Sequence, residues 1–219
     1  MPTQTNDLTP EYGWNSDAQR YIDLRTGQFV SRAQVRTALD QAIVSAKDGM
    51  RDIAQDLVDG NISLADWQTR MAQQIKLIHL ASGAAAVGGW AQLTPSDYGR
   101  IGAALRQQYA YLQRFALQIE NGLVPLDGRL IVRSLLYGEA GRGTFEDFAR
   151  AAAQRAGMTH ERRVLGAAEH CKDCVKYAGW GWKPIGTLPR IGNSQCVTNC
   201  HCTFEFRKLY GADLGGFGL

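Results

Sequence analysis

The sequence predicts a mainly α protein in two parts: a long-helix N-terminal region over residues 1–157, and a small β and irregular C-terminal subdomain over residues 158–219 that ends in a glycine-rich tail. Three observations carry that prediction. Apolar residues recur at three- and four-residue steps through the first region, the period of one helix face. Residues 1–157 balance 16 Lys+Arg against 16 Asp+Glu, whereas residues 158–219 carry 8 against 5 and hold the whole net charge of +3. All five cysteines, Cys171, Cys174, Cys196, Cys200 and Cys202, lie in the second region. With 45 % hydrophobic and 21 % charged residues among 219, the chain can bury a sizeable core and is not a disordered tail. No apolar run approaches the ~20 residues of a membrane span. Residues 1–7 lack the basic and apolar parts of a secretory signal, so a soluble protein made in the cytosol is expected.

Residues 6–30 show no clear period; Trp14, Tyr21, Ile22 and Phe29 are the expected docking side chains. Ser31-Arg32-Ala33-Gln34 is a capping-box pattern. From it Val35, Leu39, Ala42, Ala46, Met50, Ile53 and Leu57 form one apolar stripe, and Gly60-Asn61 supplies a left-handed stop. Ser63 opens a second helix with Leu64, Trp67, Met71, Ile75 and Ile78 on one face, running into the small residues 82–89. There each glycine costs ~1 kcal/mol relative to alanine but permits close approach. Thr94-Pro95 caps a third helix carrying Tyr98, Ile101, Leu105, Tyr109, Leu112, Phe115 and Ile119, ended by Asn121-Gly122. A fourth stretch runs from Arg129 to Tyr137, and Thr144 starts another through Phe145, Phe148 and Ala152 to Gly157. Gly138-Glu139-Ala140-Gly141-Arg142-Gly143 between them lacks the preceding strand and Lys-Ser/Thr of a phosphate loop, and reads as a flexible connection. His79 is expected to be solvated or satisfied, and no catalytic set emerges in this region.

The second region carries the sharp chemical signal. Cys171-x2-Cys174 is followed after 21 residues by Cys196-x3-Cys200-x-Cys202. Two cysteines separated by two residues form a tight knuckle whose sulfurs converge, and a second cluster some twenty residues later completes a tetrahedral thiolate site for zinc. The glycine- and proline-rich chain between them would not bury a core alone, so a metal staple makes physical sense. Short strands are expected at Arg162–Leu165 and Thr203–Arg207. An odd cysteine count without an export signal disfavours disulfides, and a redox pair is disfavoured because no convincing helix follows Cys171-Lys172-Asp173-Cys174. Ligands at i and i+2 are harder to aim at one ion than ligands at i and i+4. The first choice is therefore Cys171, Cys174, Cys196 and Cys200, with Cys202 the spare or substitute and with His170 and His201 pointing away. Four thiolates on Zn²⁺ add about −2, which lowers the region's excess to about +1.

Residues 161–174, from Glu161-Arg162-Arg163-Val164-Leu165 to Cys171-Lys172-Asp173-Cys174, resemble the C-terminal part of Mu F-like phage head morphogenesis (minor head) proteins, as does Asn199-Cys200-His201-Cys202-Thr203. That family carries a CxxC followed at a distance by a His-Pro-Asn-Cys-Arg-Cys-like segment; here Cys196 stands near the place of the histidine. Upstream the likeness is general, around Tyr111-Leu112-Gln113-Arg114-Phe115. The resemblance implies a non-enzymatic virion component, assembled in the host cytoplasm. It would act at the portal and head–neck vertex as one of several copies, beside the portal or neighbouring neck and capsid proteins. Trp67, Trp90, Tyr98 and Tyr109 are aromatic candidates for anchors. Two other classes stay open: a zinc-stabilised protein that contacts packaged DNA through Arg162, Arg163, Lys172, Lys176, Lys183, Arg190, Arg207 and Lys208, and an oxidoreductase using Cys171 and Cys174.

Overall fold

A computed structural model describes residues 12–15, 17–18 and 20–209. The glycine-rich tail and the first residues of the early segment lie outside them. The described chain is mainly helical, with a small strand-containing C-terminal region in which the cysteines cluster. Two compact units divide it, Met1–Phe145 and Glu146–Leu219. The division falls inside a helix, N-terminal to the shift in composition near Gly157.

The first unit begins with a small antiparallel sheet rather than an unorganised segment: β1 (Tyr12–Asn15), β2 (Arg20–Asp23) and β3 (Phe29–Val30) lie in sequence order. Trp14 and Tyr21 face each other across β1 and β2 with rings edge to face, 5.1 Å between centroids. The Tyr21 hydroxyl donates to the Ala86 carbonyl at 2.6 Å, a buried bond that local periodicity does not signal.

Three long helices follow, and their starts are those the caps predict. Ser31 closes a capping box on α1 (Arg32–Val58), Ser63 caps α2 (Leu64–Val87), and Thr94 caps α3 (Pro95–Glu120) with proline at its first turn. The buried stripe of α1 is Val35, Leu39, Ile43, Ala46, Met50, Ala54 and Leu57. Ile43 and Ala54 thus replace the expected Ala42 and Ile53. Both sets keep the same mean step, so periodicity left the phase open, and packing against α2 selected it. Trp67 and Phe115 are fully buried, with rings edge to face at 5.3 Å. Trp90 and Tyr98 are exposed, so Tyr98 is not on the core face.

The expected flexible connection at residues 138–143 is helix. One helix, α4, runs from Gly128 to Arg155, and Thr144 lies inside it rather than capping a new one. Gly138 and Gly141 serve as packing positions. A Cβ on Gly138 would sit 2.7 Å from Lys47 Cγ, and one on Gly141 would sit 2.9 Å from Ser82 Oγ and 3.0 Å from Ile78 Cγ1. Glu139 and Arg142 between them pair with Lys47 and with each other, and Arg142 reaches Asp40 at 2.8 Å. His79 is buried, its Nδ1 2.6 Å from Thr144 Oγ1.

The second unit takes the chain from Glu146. β4 (His160–Val164) is central in a three-stranded antiparallel sheet, flanked by β5 (Lys183–Pro184) and β6 (Thr203–Arg207). The short helix α5 (Lys172–Gly179) precedes β5. Alternation along β4 turns Glu161 and Arg163 inward and Arg162 outward. Glu161 is fully buried. Its Oε1 accepts from the backbone of Gly186 at 3.1 Å and Leu188 at 3.0 Å, while Oε2 pairs with Arg150 Nε at 2.8 Å. Arg150 also donates to the Leu188 carbonyl at 3.0 Å. The glycine- and proline-rich loop, for which a metal staple is the expected support, is also tied down by a buried ion pair.

Candidate metal centre

Cys171 is the N-cap of α5, and Cys174 lies in its first turn. A convincing helix does follow the first cysteine, contrary to expectation, and it aims both sulfurs toward the return of the chain. Asp173 accepts the Gln195 backbone N–H at 3.0 Å and so draws the Cys196 loop onto α5. A short 3-10 turn over Val197–Asn199 then delivers Cys200 and Cys202 just ahead of β6.

The sulfurs converge. Cys171 and Cys196 are 3.6 Å apart, Cys196 and Cys174 3.5 Å, and Cys174 and Cys200 3.6 Å. Two groups, Cys171-Cys174-Cys196 and Cys174-Cys200-Cys202, each hold their sulfurs within 4.8 Å of one another, so Cys174 belongs to both. A tetrahedron with metal–sulfur bonds of about 2.3 Å has edges of about 3.8 Å. The three close separations are near that edge length and run as a chain, Cys171–Cys196–Cys174–Cys200, although these four sulfurs do not all lie within 4.8 Å of one another. The donors therefore fit a metal ion held by thiolates.

Cys202 comes closer to the group than the i, i+2 argument predicts. Cys200 sits in extended backbone, φ −75° and ψ 115°, and in extended chain residues two apart face the same side. His201 between them is exposed, as expected. His170 does not point wholly away: its Nε2 lies 2.8 Å from the Gly166 carbonyl oxygen and its Nδ1 3.9 Å from Cys202 Sγ. Gly166 is required here because a Cβ would collide with the His201 carbonyl.

Cys174, Cys200 and Cys202 are buried together with Leu188, Ile191 and Phe204, with Cys171, Cys196 and Phe206 packed against them. The cluster is thus part of this unit's small apolar core. Without a metal its protons are unevenly shared. The Cys202 thiol donates to Cys200 and, against burial, brings it down to about 4, while Cys202 itself is raised. Burial works to raise Cys171, but backbone N–H groups of Cys174 and Cys196 bring it to about 7. Burial pushes Cys196 up to about 12. A divalent cation favours the thiolate form at every sulfur it binds.

Residues that spacing alone did not mark complete the surroundings. The Ser194 hydroxyl lies 3.2 Å from Cys196 Sγ and 3.5 Å from Cys174 Sγ. Arg163, expected on a basic surface, is buried, with Nη1 3.7 Å from Cys174 Sγ and 4.0 Å from Cys200 Sγ. Other expected basic contacts are paired within the fold: Arg162 with Glu205 at 2.7 Å and Arg190 with Asp147 at 3.3 Å. Arg207 stacks over Trp182 at 4.4 Å. No described helix is long and apolar enough to cross a membrane. The chain has no match among protein-family models, curated proteins or solved structures.

Proposed function

We propose that this protein is a structural, non-enzymatic component of a tailed-bacteriophage head, acting at the portal and head–neck vertex, with Zn²⁺ held by Cys171, Cys174, Cys196 and Cys200. The observation that supports the metal part is the convergence of the cysteine sulfurs inside a small core, in two groups of three that share Cys174. Four thiolates fill a tetrahedral ion and leave no position for substrate, the arrangement of a structural rather than a catalytic site. The three further sulfurs around Cys171 and Cys174 also set the cluster apart from an isolated redox pair. The resemblance of residues 161–174 and 199–203 to minor head proteins supplies the assembly part, with portal, neck or capsid proteins and further copies of this chain as partners. No observation favours the DNA-contact reading: Arg163 is buried, and Arg162 and Arg190 are spent on carboxylates.

Metal analysis of freshly purified protein should find one zinc per chain, since five cysteines build a single four-thiolate site. Absence of bound metal would remove the structural argument. For the assembly role, phage particles made without this gene product should lack a correctly joined neck or infectious DNA-filled heads. Normal infectious particles from a deletion strain, with the protein missing from purified virions, would sink the role.

A further inference from the structure

Arg163 poses a problem of charge. It is 2 % exposed, and no carboxylate among the described residues lies within ion-pair distance of its guanidinium. Nη2 donates to the Pro189 and Arg190 carbonyls, and the Nε is buried without a hydrogen-bond partner. The Tyr177 and Phe204 rings lie 5.1 and 5.5 Å from the guanidinium carbon. Carbonyls and ring faces carry only partial negative charge, and a buried unpaired cation is costly. The two sulfurs nearest Nη1, those of Cys174 and Cys200, belong to the thiol cluster.

The geometry points to Arg163 as the fixed counter-charge of the metal centre: its guanidinium holds the Cys174 and Cys200 thiolates and offsets the excess negative charge of the filled site. This rests on the metal reading above. Four thiolates around a divalent ion leave about −2 in a small apolar core, and that charge needs a cation as much as Arg163 needs an anion. The same side chain tethers the loop at Pro189 and Arg190, so it links the ligands of α5 and of the Cys200 turn to the chain between them. Arg163 is therefore a positioning residue for the metal. Its place on β4, two residues after Glu161, turns both charges to the inner face, where Glu161 takes Arg150 and Arg163 is left to the sulfurs.

The test compares the unaltered protein with Arg163→Met and Arg163→Lys. Each is loaded with Co²⁺, and Zn²⁺ affinity is measured by competition with a chelator. The unaltered protein must first show the absorption of Co²⁺ in a tetrahedral thiolate site; if it takes up no metal, the metal reading itself fails. Arg163→Met should weaken metal binding by about 10–100-fold, the usual cost of losing a partner of a ligand. It should also move the sulfur-to-cobalt charge-transfer band to lower energy, because thiolates without the cation hold their electrons less tightly. Arg163→Lys keeps the charge and should restore most of the affinity and of the band position. Saturating metal drives folding by mass action, so the band is read on loaded protein even where the metal-free variant unfolds. Equal bands and affinities in all three proteins, or equal losses in both variants, would show that Arg163 only ties down the loop and overturn the inference.

Discussion

Cys174 is the residue on which both sulfur groups depend. Cys174→Ser should abolish stoichiometric metal binding, whereas Cys202→Ser should retain one metal per chain, as metal analysis of the two purified variants will show. Loss of metal in Cys202→Ser would move Cys202 into the ligand set. His79 makes a second residue-level prediction. Burial lowers it from 6.5 to about 4, and its Nε2 has no partner. As pH falls, the unfolded chain takes up the proton near 6.5 while the folded chain resists it down to about 4. The stabilising contribution is thus complete above about pH 6.5 and is lost on acidification toward pH 4, by roughly 3 kcal/mol at most. Denaturant melts of His79→Gln should show a flatter pH dependence across that window than the unaltered protein.

Helix by helix, the glycines separate into two kinds. Gly99 lies in α3 with nothing within 4 Å of the place its Cβ would take, so Gly99→Ala should stabilise the protein by about 0.5–1 kcal/mol through helix propensity. Gly141 lies in α4 against Ser82 and Ile78, so Gly141→Ala forces those neighbours to move and should destabilise by about 1 kcal/mol or more despite the same propensity gain. Chemical denaturation of the two variants checks both signs. In sequence the two glycines look alike. Residues 138–143 read as a hinge because glycine frequency measures conformational freedom, not the closeness of a neighbouring helix. The capped starts of α1, α2 and α3 were legible because Ser31, Ser63 and Thr94 bond to backbone only three residues away.

For the whole molecule, α1, α2 and α3 lie in the unit that contains no cysteine, while the thiols build the core of the other. Removing metal with a chelator should therefore change the environment of Trp180 and Trp182 while leaving most of the helical circular dichroism. Parallel fluorescence and dichroism titrations measure the two responses. An equal, simultaneous loss of both signals would mean that the metal stabilises the entire chain as one cooperative structure.

Local information sufficed for the mainly α class, the helix caps and the gathering of the cysteines into a cluster that could hold a metal, since each depends on residues near in sequence or on a chemistry that cysteine seldom shares. The sheet of β1, β2 and β3 was illegible because its strands are two to four residues long, too short for a period to register. Burial of Arg163 and Glu161 was illegible for a different reason. Their inward turn follows from the pairing of β4 with β5 and β6, and their partners arrive from residues as distant as Arg150 and Cys200. Spacing told which atoms can bind a metal; only the tertiary structure decided which charge faces them, because electrostatic pairing acts through space and a sequence records order along the chain.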